Sequence, residues 1–562
     1  MFRNWAPLVI ALLLAVIFAV MGVNPPAPKD LNTPANQFSS ARAMTDVRII
    51  AAKPHPTGSE ENAKVRAYLS RRLTELGAEA SVSKAQLGER SLARLNKWSG
   101  ANNREQDIFN VIGVLPGKNR KKPAILLMAH HDTVWGSPGA ADDTIGIASI
   151  LEITRALKER GALDRDLIIL FTDAEELGLV GAVNFFNSHS LRDKIGAVVN
   201  FEARGGGGTA NMFQTSAGNG AAAKLFARHV KNPSTSSLSI FVYNILPNDT
   251  DLTPALEKDY VAYNIANIGL AEYYHSPKID VSALDEGTLQ HMGSQGLDLT
   301  RALLSADELP VKTADKTFFD LFGFFTIIYP SFFGWIFLAF GGAFYLSSLN
   351  YSAQRKDVLI GAVKMIGFLL IGGVLLYGLN LLSGSGRGAN YYDRLAAIPK
   401  LEVTAFLLCL SMLFAIFGYK TLSSNERLGA ALPIFIVAVL GQAFAPTATY
   451  FISFPILLCG IASWAMRKWP DEKLTLGINF IVVILVAGYM LSLGHLLMLG
   501  VGPDMLSVAI LPAAILGVSV FPLYKGMKSR ANTHIAIAAI IGSTALALWV
   551  RIDPIASTVP LY

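Results

Sequence analysis

Hydrophobic and polar positions divide the chain into two kinds of pattern. Up to about Lys316, short apolar runs alternate with amphipathic stretches; beyond it, long apolar runs follow one another with brief polar breaks. In the first part, HPTGSEENAKVRAYLSRRLTELG places Val65, Leu69, Leu73 and Leu76 at helical spacing. Ser59 precedes them as an N-cap and Gly77 follows as the stop. Apolar runs at 110–115, 124–128, 167–171 and 197–201 predict strands, and amphipathic patterns near 144–159, 178–187 and 221–230 predict helices between them. This alternation predicts an α/β fold with a largely parallel sheet covered by helices on both faces. Functional groups in such sheets collect at the C-terminal ends of strands, where His130, Asp173 and Glu202 stand.

The second part predicts an all-α, multi-span transmembrane domain. Eight runs, at 324–346, 358–382, 403–419, 428–444, 451–466, 474–493, 505–523 and 533–550, are candidates to cross a bilayer. A ninth, at 7–23, follows Arg3 and precedes NPPAPKD; it reads as an uncleaved signal anchor with a Pro-rich linker behind it. The expected divisions are 1–30 for anchor and linker, 31–316 for the α/β domain and 317–562 for about eight helices.

Composition supports this picture. The 562 residues are 52% hydrophobic and only 16% charged, more apolar than a single soluble domain needs. The net charge of +6 is modest, and its basic residues cluster at alternate connections: Arg355 and Lys356; Lys420 and Arg427; Arg467, Lys468 and Lys473; Lys525, Lys528 and Arg530. By the positive-inside rule these loops and the N-terminus are cytoplasmic, and the α/β domain lies outside; only the loop with Arg387, Arg394 and Lys400 runs against the pattern. The expected setting is a bacterial inner membrane with the α/β domain in the periplasm, and no nucleic-acid partner. Lys364, His495 and His534 lie in or near spans without a partner series and read as snorkelling or interfacial residues. The two cysteines, Cys409 and Cys459, both lie in apolar runs, so a metal in the α/β domain must use His and carboxylate ligands.

The candidate chemistry centres on 129–176, where ionisable groups follow apolar runs. His130-His131-Asp132 leaves a strand; either histidine could meet a metal, with Asp132 fixing the other ring nitrogen. Asp142 and Asp143 enter a helix after a Pro-Gly turn, where capping alone would explain them. Adjacent Glu175 and Glu176 repel unless a cation sits between them or one is protonated, an arrangement suited to a metal ligand beside a general base. Glu202 ends a strand before Arg204 and four glycines, which lack the Lys-Ser/Thr of a P-loop. His275 lies in EYYHSPKID.

Taken in order, AHHD, PGAADDTIG, DAEELGLVGA, NFEARGGGG and YYHS resemble the M28 family of zinc-dependent exopeptidases, with HPTGSEEN and NVIGVLPG similar to its entry segments. FFDLFG and the multi-span tail resemble the family's membrane-bound branch, which includes endoplasmic-reticulum metallopeptidases, vacuolar membrane proteases and bacterial counterparts. The resemblance implies a mixed, largely parallel sheet flanked by helices and two Zn2+ ions per chain. It implies metal ligands His130, Asp142, Glu176, Glu202 and His275, with Asp142 bridging, Glu175 as general base and Asp132 orienting His130. The implied activity is release of N-terminal residues from peptides outside the cytoplasm. Expected partners are peptides and the bilayer, with homo-oligomerisation left open. The competing readings are a non-catalytic receptor or complex subunit of the same fold, and a glutaminyl-cyclase-like zinc acyltransferase.

Overall fold

The computed structural model describes residues 5–351, 356–386, 391–470 and 472–553. Arg3, Arg355 and Arg387, which carry part of the charge pattern, lie outside the described residues. Asn24–Ile328 form one compact unit; the described parts of Met1–Val23 and Tyr329–Ile555 form a second.

The first unit is built on a seven-stranded sheet: β1 (Glu79–Gln86), β2 (Asp107–Leu115), β3 (Ala124–His130), β4 (Leu167–Thr172), β5 (Ile195–Ala203), β6 (Gly207–Thr215) and β7 (Val261–Gly269). Their spatial order is β1-β2-β4-β3-β5-β7-β6. β4, β3, β5 and β7 are mutually parallel, whereas β1, β2 and β6 pair antiparallel at the margins. The mixed sheet with a parallel centre follows from its residues: β3 and β4 are buried along their whole length and read as continuous apolar runs, the signature of strands covered on both faces. The margins are less regular in sequence. β1 is half exposed, and the buried run of β6 is interrupted by polar residues.

Helices cover both faces. Glu60–Glu75 starts where Ser59 accepts the Asn62 amide, and Gly77 takes φ +82° after its end. Thr144–Lys158 is buried on almost every side, packed between the sheet and the helix Glu286–Ser305. Its N-cap is Asp143, whose side chain accepts the Gly146 amide.

At the far end of this unit, β8 (Lys316–Asp320) and β9 (Thr326–Pro330) form a two-stranded ribbon. This corrects the expected span at 324–346. The residues after the Phe322-Gly323 turn, both at positive φ, are β-branched Thr326, Ile327 and Ile328, and they pair as a strand. The helix that follows is only Phe333–Ser347.

In the second unit, seven described helices are long and apolar enough to cross a membrane: Ala6–Val23, Lys356–Leu382, Ile398–Phe417, Ser424–Phe444, Tyr450–Lys468, Lys473–Val501 and Ser529–Ile552. Phe333–Ser347 and Leu506–Val520 are shorter apolar helices. Ionisable groups here have partners the sequence did not reveal. Lys364 lies 3.7 Å from buried Glu426, and His495 meets Glu402 at 2.8 Å, so neither is the isolated snorkelling residue expected; His534 is exposed.

Candidate metal centre

Four parallel strands deliver their C-terminal ends to one place. β3 ends on His130, Asp173 follows the end of β4, Glu202 is the penultimate residue of β5, and His275 follows β7. His130 and Thr172 are register partners, which sets the β3 exit beside the turn that carries Glu175 and Glu176. That turn needs positive φ at Ala174 (+61°) and Leu179 (+61°), and His275 itself sits at φ +54°. Non-glycine residues persist in this region only where the surroundings over-determine them, and such positions cluster at functional sites.

Among the described residues the donor atoms converge on three overlapping clusters, His130–Asp142–Glu202, Asp142–Glu176–His275 and His130–Glu175–Glu176. His130 Nε2 lies 2.9 Å from Asp142 Oδ1 and 3.4 Å from Glu202 Oε1. His275 Nε2 lies 3.2 Å from Asp142 Oδ2 and 3.2 Å from Glu176 Oε1. Asp142 therefore turns one oxygen to each histidine. Within each of the sets His130–Asp142–Glu202 and Asp142–Glu176–His275, one donor atom per residue falls within 4.8 Å of the others, close enough to share an ion. Glu202 Oε2 is buried without a hydrogen-bond partner, as expected of an oxygen awaiting a cation.

Charge points the same way. Burial alone would lower both histidines, yet the carboxylates Asp132, Asp142 and Glu202 hold His130 well above its ordinary value. Glu176 and Asp142 raise His275 to about 9. Burial pushes the Glu175 carboxyl well up, with Glu202 and Glu176 adding repulsion against the partial relief from His130. Burial likewise raises Glu176 and Glu202. Buried carboxylates outnumber the groups that could carry positive charge here, so the site favours a cation. Two imidazoles and three carboxylates form a donor set that divalent transition ions accept, so the residues present fit a metal.

The remaining residues support this frame. His131, which spacing alone could not separate from His130, is turned away: its Nε2 donates to the Phe109 carbonyl at 2.9 Å, and Asn62 donates to its Nδ1. Asp132 holds His130 differently from expectation. His130 Nδ1 donates to the backbone carbonyl of Asp132 at 2.9 Å, with the carboxylate farther off at 3.6 Å. The Asp132 carboxylate instead accepts the amides of Glu175 (3.0 Å) and Glu176 (3.3 Å), so one residue fixes both a histidine and the acidic turn. Asp143, joined to Asp142 by a cis peptide, accepts the His130 amide.

The glycine run after Glu202 is closely packed and far from a loose phosphate loop. A Cβ at Gly205 would lie 2.2 Å from the Gly269 carbonyl oxygen, so only glycine lets β7 pass there.

Sequence reading missed Asp251. It is fully buried, bonded to the Thr172 hydroxyl, and its Oδ1 has no partner. Burial raises it to about 7. Asn248-Asp-Thr-Asp251 carries no periodicity that would flag it. Thr57 was within reach, inside HPTGSEEN; its hydroxyl donates to Asp173 at 2.9 Å and lies 3.3 Å from Asp132.

The chain is similar to several known proteins. Residues 110–300 match the family model described as peptidase family M28. A vacuolar membrane protease of Saccharomyces cerevisiae (strain YJM789) is 33% identical over 328 residues, covering 55% of this chain and 33% of that protein. The vacuolar membrane protease of Schizosaccharomyces pombe is 30% identical over 285 residues, covering 50% and 33%. The chain thus spans about a third of the length of these relatives. Among solved structures, an aminopeptidase from Aneurinibacillus sp. strain AM-1 aligns over 50% of this chain and 97% of its own, with a TM-score of 0.39 and 13% identity. A glutaminyl cyclase from Fimbriiglobus ruber aligns over 49% and 99%, with a TM-score of 0.37 and 15% identity.

Proposed function

We propose that this chain, a membrane protein carrying a peptidase family M28 domain, is a membrane-anchored zinc exopeptidase that removes N-terminal residues from peptides. The observation that carries the reading is Asp142, with one oxygen toward His130 and Glu202 and the other toward His275 and Glu176. We assign one zinc to His130, Glu202 and Asp142, and a second to His275, Glu176 and Asp142. Bound there, the ions would acidify water and polarise a peptide carbonyl.

The chain's own groups account for the proton movements. Glu175 stands beside the ligand Glu176 with its carboxylate within 4.8 Å of donor atoms of His130 and Glu176, where it can accept the proton of the attacking water. Its raised proton affinity, caused chiefly by burial, suits a group that must hold that proton and then deliver it to the leaving amine. Asp132 keeps the Glu175-Glu176 turn in place through two amide hydrogen bonds. His130 is oriented by the Asp132 carbonyl and presents Nε2 to the centre. Every proposed ligand comes from one chain, so no step needs a second copy.

The basic loops favour a peptidase unit on the non-cytoplasmic side, in a bacterial cell the periplasmic face of the inner membrane. Protease accessibility of residues 24–328 in sealed, oriented vesicles tests this; protection from externally added protease in right-side-out vesicles would reverse it.

Replacing Glu175 by Gln tests the catalytic reading. Turnover of aminoacyl and peptide reporters should fall by roughly 10²–10⁴-fold with bound zinc unchanged. Undiminished turnover in that variant would remove Glu175 from its role. Cyclisation of N-terminal glutamine without peptide hydrolysis would favour the acyltransferase, and a zinc-loaded chain inert in both assays would favour a receptor.

A further inference from the structure

The helical unit contains a cavity of about 280 Å³ between the helices Ile398–Phe417, Lys473–Val501 and Ile510–Val520. Its walls are almost wholly apolar, with Phe406, Met490 and Leu516 among them. The charged exceptions are Glu402 and His495, whose carboxylate and ring Nδ1 meet at 2.8 Å. Ionisable groups within membrane helices are expensive and mark sites of function.

The cavity is kept open by the sequence. Gly494 lies in mid-helix, and a Cβ built on it meets nothing within 4 Å. Glycine at such a position weakens a helix relative to alanine, and here no close packing requires it. What the missing side chain leaves is room.

The charged pair lies toward one end of the bundle. The Ser492 hydroxyl donates to the Ala19 carbonyl, which sets His495 level with the end of the helix Ala6–Val23. Glu402 is in the first turns of its own helix. From this pair the cavity runs past Phe406 to Cys409 on one helix, about 10 Å at helical rise, and past Leu491 to Met490 on another, about 8 Å, with Met498 one turn to the other side of His495. The ionisable pair therefore stands near one end of the helix Ile398–Phe417, and the wall from Phe406 to Cys409 and Met490 is apolar.

We propose that this cavity binds one acyl chain of an amine-bearing zwitterionic phospholipid, of the phosphatidylethanolamine type, with its ammonium on the Glu402 carboxylate. The volume lies just below the range of about 300–1,000 Å³ for drug-sized ligands and suits a single chain better than a whole lipid. The Glu402 carboxylate, held by His495, complements a headgroup that carries an ammonium. An anionic headgroup would leave Glu402 facing negative charge.

The test uses the full chain in nanodiscs of phosphatidylethanolamine and phosphatidylglycerol in equal parts, doped with either lipid carrying a diazirine on its acyl chain. The phosphatidylethanolamine probe should label the segments around Cys409 and Gly494 in preference to the phosphatidylglycerol probe. Gly494→Leu, which projects into open space, should cut that labelling about tenfold without lowering the melting temperature, and Ala513→Phe on the opposite wall should do the same. Glu402→Gln should shift labelling toward phosphatidylglycerol. Equal labelling by the two probes in the unaltered chain, or labelling undiminished in both cavity-filling variants, would overturn the proposal.

Discussion

At the residue scale, the division of labour between His130 and His131 shows how neighbouring identical side chains take unlike roles. Their spacing in sequence is silent on which one faces the centre. Backbone alternation at the β3 exit decides it, turning His131 to the Phe109 carbonyl and Asn62. His131→Phe should therefore leave the zinc content unchanged and lower stability by about 1–3 kcal/mol, because the Phe109 carbonyl and Asn62 amide lose their partner. Thermal melts with parallel metal analysis check this. Asp132→Asn should do the reverse: a modest effect on melting but a loss of about 10–100-fold in kcat or zinc affinity, since its carboxylate secures both Glu175 and Glu176 amides. The seven site residues read from motifs are those the fold brings together. Asp251 was illegible because its position depends on a long-range bond to Thr172, which no local pattern encodes.

At the scale of elements, the parallel strands were readable because burial on both faces demands unbroken apolar runs. The margins were not: β1 is largely exposed and β6 mixes polar with apolar positions. In sequence β9 reads as the start of a span, because Phe324, Phe325, Ile327 and Ile328 satisfy a hydropathy window although the last two belong to a strand. Its consequence is testable. Phe318 is almost fully buried in the main core, and the Ser237 hydroxyl bonds to the Phe318 carbonyl and amide. A fragment of the α/β unit ending at residue 328 should melt above one ending at residue 316, by roughly 2 °C for each kcal/mol of lost packing.

The helix Glu286–Ser305 adds a pH-dependent contribution through His291. Its Nδ1 accepts the Ala210 amide and its Nε2 donates to the Asn232 carbonyl, so the ring is held neutral, and burial lowers its pKa to about 4. A depressed value means that this stability is fully present above the unfolded pKa near 6.5 and is lost as pH falls through about 4. The loss amounts to roughly 3 kcal/mol at the acid end. His291→Gln should lower stability at neutral pH and flatten the difference between neutral and acid melts. An unchanged pH slope would contradict the assignment.

At the scale of the whole molecule, two compact units share one chain: an α/β unit with a cluster of buried carboxylates and histidines, and a helical unit with its own ion pairs and an apolar cavity. Hydropathy made the second unit visible as a set of helices but not its internal contacts, because pairs such as Glu402–His495 join residues far apart in sequence. The fragment 24–328 should retain zinc and hydrolyse soluble peptide reporters, since all proposed ligands lie within it. Loss of zinc from that fragment alone would make the helical unit part of the centre.

The central claim is a two-ion site bridged by Asp142, and metal analysis of the purified full chain tests it most directly. Mass spectrometry of the metal content should give close to two zinc ions per chain, and Asp142→Ala, which removes the shared ligand, should lower occupancy of both positions. A chain that binds no zinc after loading, or an Asp142→Ala variant that keeps both ions, would contradict it.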